Sequence, residues 1–545
     1  MSFTSALQRA LHSPLEPRVS ALFGSRAATA AAVFSCTGYK QPMRCFSASV
    51  RIMKASNIAV VGGGAAGFYT AARVLAKTKD VNVDIYERLP TPHGLVRYGV
   101  APDHPEVKNC MGKFDEVASD PRVRLFANIS VGNGAENQGS VSLDLLRANY
   151  DGVVLAYGAS RDRRLNIPGE DGRESRDSTG SVVGRPGVIS ARRFVAWYNG
   201  YPEAQDLEID LESFDRVVIV GHGNVALDCA RVLLTDPDVL AKTDITSRAI
   251  RALRRSRVRH VEMVGRRGPL QVAFTTKELR EMTKIPGLRI ICDRDLVAAQ
   301  CASDEGKKYL EASRPLKRMM DLLLKHAVSG EQLDGSGGTA AEKTFTLRFL
   351  MSPLEMLFDQ RMDDDVVVPQ VMRFGVNMLE GSPESAKAVA TGETADIPCA
   401  VALRSIGYAS VPLEGAPFDG TRNVVPNIAG RVVDGEDELV HGLYVAGWLK
   451  RGPVGVIATT MQDAYRTADA VVMDLANGNI GVENGSSRDA IDRALRDAGV
   501  DGFCVTNADW KRLEAYEFDA GRKVGKPREK VTSVKEMLDI IHSAR

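Results

Sequence analysis

No two cysteines in this 545-residue chain form a C-x-x-C pair. The eight, Cys36, Cys45, Cys110, Cys229, Cys292, Cys301, Cys399 and Cys504, are scattered. That excludes a cysteine-ligated iron–sulfur cluster of the usual spacing and suits reduced, structural thiols in a reducing compartment. Net charge is nearly lacking: 70 Lys and Arg face 69 Asp and Glu, a balance of +1, which excludes a basic nucleic-acid binder in bulk. No apolar run reaches about 18 residues, the length a membrane helix needs. The chain is 44% hydrophobic, 26% charged and only 6% aromatic, the composition of a globular protein long enough for two domains.

Acidic residues are scarce at the N-terminus. Residues 1–46 hold Arg9, Arg18, Arg26, Lys40 and Arg44 against Glu16 alone, a net of +4 that leaves −3 for the rest. A Ser-, Ala- and Arg-rich, acid-poor leader has the composition of a mitochondrial transit peptide, and Arg18 and Arg26 break the apolar core that a secretory signal requires. Arg44-Cys45-Phe46-Ser47 resembles a matrix-protease cleavage site. The expectation is therefore a transit peptide over 1–46.

Two stretches then open in the same way. Ile58 to Val61 reads as a buried strand, Gly62-x-Gly64-x-x-Gly67 follows, Phe68 to Lys77 reads as helix, and a second strand, Val81 to Tyr86, ends in Glu87. This is a dinucleotide fingerprint in its required context. Gly62 permits a tight turn, Gly64 lets backbone approach a pyrophosphate, and Gly67 lets helix and strand pack. The helix N-terminus offers amide hydrogens and a positive dipole, and Glu87 is placed for ribose hydroxyls. The second stretch runs from Val217–Val220 through Gly221-x-Gly223-x-x-Ala226 into a helix over Leu227–Leu234. Its next strand, Val261–Val264, ends in Gly265-Arg266-Arg267, with Arg266 45 residues after Gly221 where Glu87 is 25 after Gly62; an insertion between about 236 and 258 fits the difference. An acid would repel a 2′-phosphate, whereas two arginines clamp one. The first stretch reads as a site for a dinucleotide without that phosphate, the second as an NADP site.

A third segment has strands at Val401–Ile406 and Leu443–Ala446, then Gly447-Trp448, and a helix from near Gly455-Val456-Ile457 to about Leu475. A helix N-terminus there can close over a flavin whose nucleotide end sits at Gly62 to Gly67; Trp448 is either a cofactor contact or a core residue. Nesting sets the domains. A first domain over 56–157 is interrupted by a loop rich in Gly, Ser, Arg and Asp (169–187). A second covers 158–406 with a flexible loop at Gly335–Gly338, and the first resumes over 407–545.

Longer motifs point to a family. Asp84 to Arg88, His93 to Lys108, Gly223 to Asp228, Val264 to Arg280 and Lys450 to Ile457 resemble the mitochondrial NADPH:adrenodoxin (ferredoxin) reductases, a likeness running from about residue 56 to the C-terminus. The resemblance implies an α/β chain of two nested Rossmann-like dinucleotide-binding domains, the FAD domain interrupted by the NADP domain, in a glutathione-reductase-like architecture. It implies one FAD, NADPH as donor and a small acidic [2Fe–2S] ferredoxin as acceptor, with no metal site on the chain. Such ferredoxins serve cytochrome monooxygenases, haem synthesis or cluster assembly. It further implies a mitochondrial matrix location, peripheral on the inner membrane.

Roles carry over by position. Ala66, Glu87, Leu95, Val131, Trp448, Gly455, Val456 and Ile457 match FAD contacts, beside Gly62, Gly64 and Gly67 of the fingerprint. His222, Gly223, Asn224, Val225, Arg266, Arg267, Glu278 and Gly455 match NADP contacts, beside Gly221 of the second fingerprint. His104 and Asp228 match a polar pair near the flavin, to tune or shuttle a proton or to serve as a structural hydrogen-bonded pair. His222 stands where a glutamine is usual and His93 where an aromatic is usual. A flavin monooxygenase would share FAD and NADPH but couple NADPH use to an oxygenated product. A glutamate-synthase-like subunit would need cysteine clusters that the sequence lacks, and a nucleotide-sensing module would not need both sites.

The −3 body must still attract an acidic partner, so its positive charge should be concentrated. Ser313 to Lys325 reads as a helix with Arg314, Lys317 and Arg318 on one face; the resemblance favours Arg314 and Arg318 for docking. Arg248, Arg251, Arg254, Arg255, Arg257 and Arg259 form a second acid-free run.

Overall fold

Parallel strands buried on both faces read as near-continuous aliphatic runs, and the runs above become the centres of two sheets. The computed structural model describes residues 55–134, 138–176, 182–185, 187–329, 343–358, 370–399, 401–482 and 486–543. The 1–46 leader and the Gly335–Gly338 loop lie outside the described residues.

The first sheet has seven strands in the order Asn427–Ile428, Arg431–Val433, Leu439–Val445, Gly152–Leu155, Ser56–Val61, Val81–Glu87 and Val123–Ala127. From Leu439–Val445 onward neighbours run parallel; the far edge is antiparallel. Alternation along the central strand splits its side chains between two cores. Ile58 and Val60 pack with Phe68 and Val74 of the helix Ala65–Lys77, with Ala464 and Val471 of the helix Ile457–Ala476, and with Trp510. Ala59 and Val61 pack with Leu146, Val445 and Leu495 on the other face. Each Val, Ile, Leu or Phe side chain among them stabilises the fold by about 1.5–3 kcal/mol on full burial.

The second sheet is all parallel, in the order Val188–Ser190, Val401–Arg404, Arg216–Val220, His260–Val264, Lys343–Arg348, Leu288–Cys292 and Ala327–Val328. Val217 and Ile219 face helices, among them Asn224–Leu234. Val218 and Val220 face an antiparallel sheet of Met351–Leu357, Gln370–Glu380 and Lys387–Cys399, which contributes Met372, Phe374 and Cys399. That three-stranded cover was not anticipated from the sequence.

The helices begin earlier than the sequence indicates, at Ala65 and Asn224 rather than Phe68 and Leu227, because a glycine turn feeds straight into the first helical turn. The stretch 169–187 is not simply a loop: Arg173–Arg176 pairs antiparallel with Val182–Arg185. The insertion at 236–258 is helical, over Pro237–Leu240 and Ser247–Arg255. The chain passes from the first sheet to the second and back through two paired strands, Arg161–Asp162 and Tyr408–Ala409. Among the described residues no helix is long and apolar enough to cross a membrane.

Candidate nucleotide and electron-transfer site

Each fingerprint places three small residues under different constraints. At Gly62 (φ 114°) a Cβ would stand 2.7 Å from the Ala156 backbone, and at Gly67 it would stand 2.0 Å from the Gly62 carbonyl oxygen. Only glycine lets the turn form and the helix seat. Gly64 and Gly223 differ: a Cβ there would meet nothing within 4 Å. These second glycines border open space, and the helices behind them start without a side-chain cap. Free amide hydrogens at the positive end of a helix dipole, beside room for a ligand, form a phosphate cradle.

Glu87 closes the first cradle. Its Oε2 accepts from the Gly63 amide at 2.9 Å and its Oε1 from the Leu89 amide at 3.0 Å. A carboxylate has about four lone-pair positions, so two remain for ribose hydroxyls. Burial pushes its proton affinity up, against those amides and Arg88. The 93–94 turn lies over the same loop: His93 N donates to Gly63 O at 2.7 Å. The His93 side chain points away, buried among Phe68, Phe114 and Trp510 and 3.4 Å from Asp115. It therefore does the packing work of the aromatic it replaces. Leu95 is partly exposed on the helix Gly94–Tyr98, and Val131 ends the short strand Ile129–Val131.

The third segment reaches this loop. A Cβ on Gly447 (φ 74°) would stand 2.6 Å from the Ala66 side chain, so Gly447 abuts the first fingerprint helix. Trp448 is half-buried against Tyr408, their rings 5.3 Å apart. Gly455 and Val456 are exposed, and the helix from Ile457 starts without a side-chain cap.

At the second cradle, His222 turns inward. Its Nε2 donates to the Met263 carbonyl at 3.0 Å and its ring packs on Phe349 and Phe274. Burial pushes its pKa down to about 4, against those backbone partners, so the ring stays neutral. The hydrogen bond that this side chain makes goes to the sheet's backbone. Asn224 Oδ1 accepts from the Thr275 amide at 2.8 Å, which ties the cradle to the helix Thr276–Met282. Arg266 is exposed and Arg267 half-buried; neither side chain has an ion-pair partner among the described residues, leaving both guanidiniums free for a phosphate.

Between the cradles lies an ionic cluster. His104, Asp228 and Glu278 present ligand atoms within 4.8 Å of one another. Arg231 already supplies a cation there: it pairs with Asp103 at 2.5 Å, Asp228 at 2.7 Å and Glu278 at 3.3 Å. Glu278, matched to an NADP contact, engages Arg231 and lies 3.6 Å from His104 Nε2 through one carboxylate oxygen. Burial pushes the Asp228 carboxyl up to about 6, with Arg231 opposing. Sequence reasoning missed Arg231. The available signal was one charged pair, Asp228 and Arg231, one turn apart in the otherwise apolar stretch Val225–Leu234.

Arg314, Lys317 and Arg318 are all exposed on the helix Arg314–His326, and none is ion-paired among the described residues. Thr276 donates to Pro315 O at 3.1 Å, joining this helix to the one that carries Glu278. Of the second arginine run, Arg254 and Arg255 pair with Asp238 and Glu212, so that run is partly neutralised.

Residues 56–293 match the family model for pyridine nucleotide-disulphide oxidoreductases. The chain is 45% identical to the mitochondrial NADPH:adrenodoxin oxidoreductase of Homo sapiens, over 90% of this chain and 92% of that one. It is 46% identical to the Bos taurus protein of the same name, over 89% and 92%. Among solved structures, FprA from Mycobacterium tuberculosis in complex with NADPH superposes with a TM-score of 0.75 at 37% identity, covering 89% of this chain and 99% of that one.

Proposed function

The chain belongs to the NADPH:adrenodoxin oxidoreductase family, and from that premise we propose how its residues carry out the reaction. It is an FAD-dependent NADPH:ferredoxin oxidoreductase. The observation that carries the assignment is the contrast between two like cradles: one ends in a half-buried carboxylate, Glu87, the other in two arginines, Arg266 and Arg267, that have no ion-pair partner among the described residues. The domain limits 56–157, 158–406 and 407–545 belong to this proposal, with the first and last parts forming the FAD domain.

The first cradle fits FAD. Gly62, Gly64, Ala66 and Gly67 admit the pyrophosphate and Glu87 orients the ribose. Leu95, Val131, Trp448 and Gly455 to Ile457 would hold the flavin end of the cofactor. When bound, FAD supplies the step that no side chain here can: it takes two electrons as hydride and yields them singly. Gly221 to Val225 would hold the NADPH pyrophosphate, Arg266 and Arg267 would bind its 2′-phosphate, and the exposed Gly455 would be open to either cofactor. Tyr408 and Trp448 shield the site from water. Asp228 and His104 hold or move a proton beside the reacting centre.

The partner is an acidic [2Fe–2S] ferredoxin that docks on Arg314 and Arg318. The 1–46 leader directs import to the mitochondrial matrix and is removed there, and the mature protein sits peripherally on the inner membrane. The test is NADPH-dependent cytochrome c reduction with and without a [2Fe–2S] ferredoxin. Ferredoxin-dependent reduction is expected; reduction indifferent to ferredoxin would overturn the reading.

A further inference from the structure

One short stretch of the first cradle's side makes four polar contacts with the second, three of them ion pairs. Asp103 meets Arg231, and His104 Nε2 is 3.6 Å from Glu278. Glu106 meets Lys277 at 2.9 Å, and Lys108 meets Asp244 at 2.7 Å. Among the receiving residues Arg231 is set apart by burial, with 3% of its side chain exposed, against 51% for Lys277. An exposed pair such as Glu106–Lys277 contributes about 0–1 kcal/mol. A buried guanidinium facing three carboxylates is different, because its removal leaves like charges together in a poorly solvated place.

Arg231 also occupies a particular place on its helix. It lies seven residues after Asn224, about 10 Å down the helix from the phosphate cradle at 1.5 Å per residue. Its planar fork spans both oxygens of Asp103 while also reaching Asp228 and Glu278. One side chain thus joins the NADPH-side helix, the helix of Glu278 and the loop of His104.

We propose that Arg231 is a positioning residue for hydride transfer: it holds the NADPH-binding helix against the Asp103–His104 loop and keeps His104, Asp228 and Glu278 in one fixed array. This rests on the reading of the chain as an NADPH-dependent flavoenzyme. The titratable and charged groups facing the array are Asp103, His104 and Glu106 from the loop, Asp228 and Cys229 from its own helix, Lys277 and Glu278 from the next, and Tyr198 and Tyr408. Arg231 opposes the upward shift of the Asp228 carboxyl, so losing its charge pushes that carboxyl further up.

The test compares the purified flavin-loaded protein with Arg231→Gln, Arg231→Lys and, as a surface control, Arg373→Gln, whose partners Asp396 and Glu355 lie on the antiparallel sheet. Two readouts are taken. Backbone hydrogen exchange over 101–108 and 224–234 is expected to quicken at least tenfold in Arg231→Gln and to stay unchanged in the control. The acid limb of the pH profile for NADPH-to-ferricyanide turnover is expected to move upward in Arg231→Gln and to keep its position in Arg231→Lys, which retains charge but not the fork and so loses turnover at every pH. Unchanged exchange together with an unmoved acid limb in Arg231→Gln overturns the proposal. So does a limb that moves equally in Arg231→Lys, since charge would then not be its cause. If Arg231→Gln cannot be isolated with flavin, the Arg231→Lys profile decides. An unmutated protein that does not oxidise NADPH would overturn the functional reading instead, while the exchange data would still report whether Arg231 holds the loop.

Discussion

Lys530 Nζ stands 2.9 Å from Asp244 Oδ2, although Lys108 already holds both oxygens of that carboxylate at 2.7 Å. Two buried ammonium groups share one counter-charge. Burial, aided by the Lys108 charge and opposed by Asp244, pushes Lys530 down to about 7. The two lysines hold the Asp244 carboxyl well below its usual range despite its burial.

A stability–pH prediction follows from the sign of the Lys530 shift. A lysine that binds its proton less tightly when folded adds stability as pH rises from the folded value toward the ordinary 10.5, and loses it as pH falls back toward 7. The slope is at most about 1.4 kcal/mol per pH unit for one proton. Denaturant midpoints of the wild type relative to Lys530→Met should therefore climb between pH 7 and 10. A difference that is flat over that range would mean Lys530 keeps its proton.

Arg266 and Arg267 should set nucleotide choice. Arg266→Ala with Arg267→Ala is expected to remove most of the preference for NADPH over NADH, because charged hydrogen bonds are worth about 1.5–3 kcal/mol each. The ratio of kcat/KM for the two nucleotides measures it. A wild type that uses both equally would refute the assignment.

Arg314→Glu with Arg318→Glu should weaken ferredoxin-dependent cytochrome c reduction and leave NADPH-to-ferricyanide turnover intact. Association should also fall steeply with salt, as electrostatic steering requires. If both activities fell together, the two arginines would be structural. If neither fell, the place to look next is Arg248 and Arg251, exposed on the helix Ser247–Arg255.

The glycines of the first turn should separate folding from binding. Gly67→Ala puts a Cβ against the Gly62 carbonyl, so the flavin-free protein itself should lose stability. Gly64→Ala meets no protein atom within 4 Å; its flavin-free melting point should hold while FAD affinity drops. Equal destabilisation by both changes, read by thermal melting and bound-flavin absorbance, would show that the space above Gly64 is not the cradle.

The parts legible in the sequence are those in which neighbours along the chain do the work. Val217 to Val220 and Gly221 to Ala226 carry strand, turn and helix within ten residues, so composition and spacing suffice. Ion pairs are another matter. Asp103 and Arg231 lie 128 residues apart, and nothing in either local stretch names the other. The antiparallel sheet is likewise not legible in the sequence, because Lys387 to Ala395 is largely exposed along its length and lacks the apolar alternation that marks a half-buried strand. His222 was legible as a departure from a family pattern, but its inward turn depends on Gly265, where a Cβ would stand 2.4 Å from the imidazole.

The antiparallel pair of Arg161–Asp162 with Tyr408–Ala409 has a mechanical consequence. Two separate threads between the sheets would let one swing about any axis. A hydrogen-bonded ribbon bends readily across its flat face and resists shear within its own plane, so it leaves one soft direction of motion. The side chains flanking it, Tyr408 against Trp448 and Arg192 against Asp162, sit where that bending would be felt first. Bending of this ribbon would therefore alter the Tyr408–Trp448 contact before it disturbed the strand pairing within either sheet.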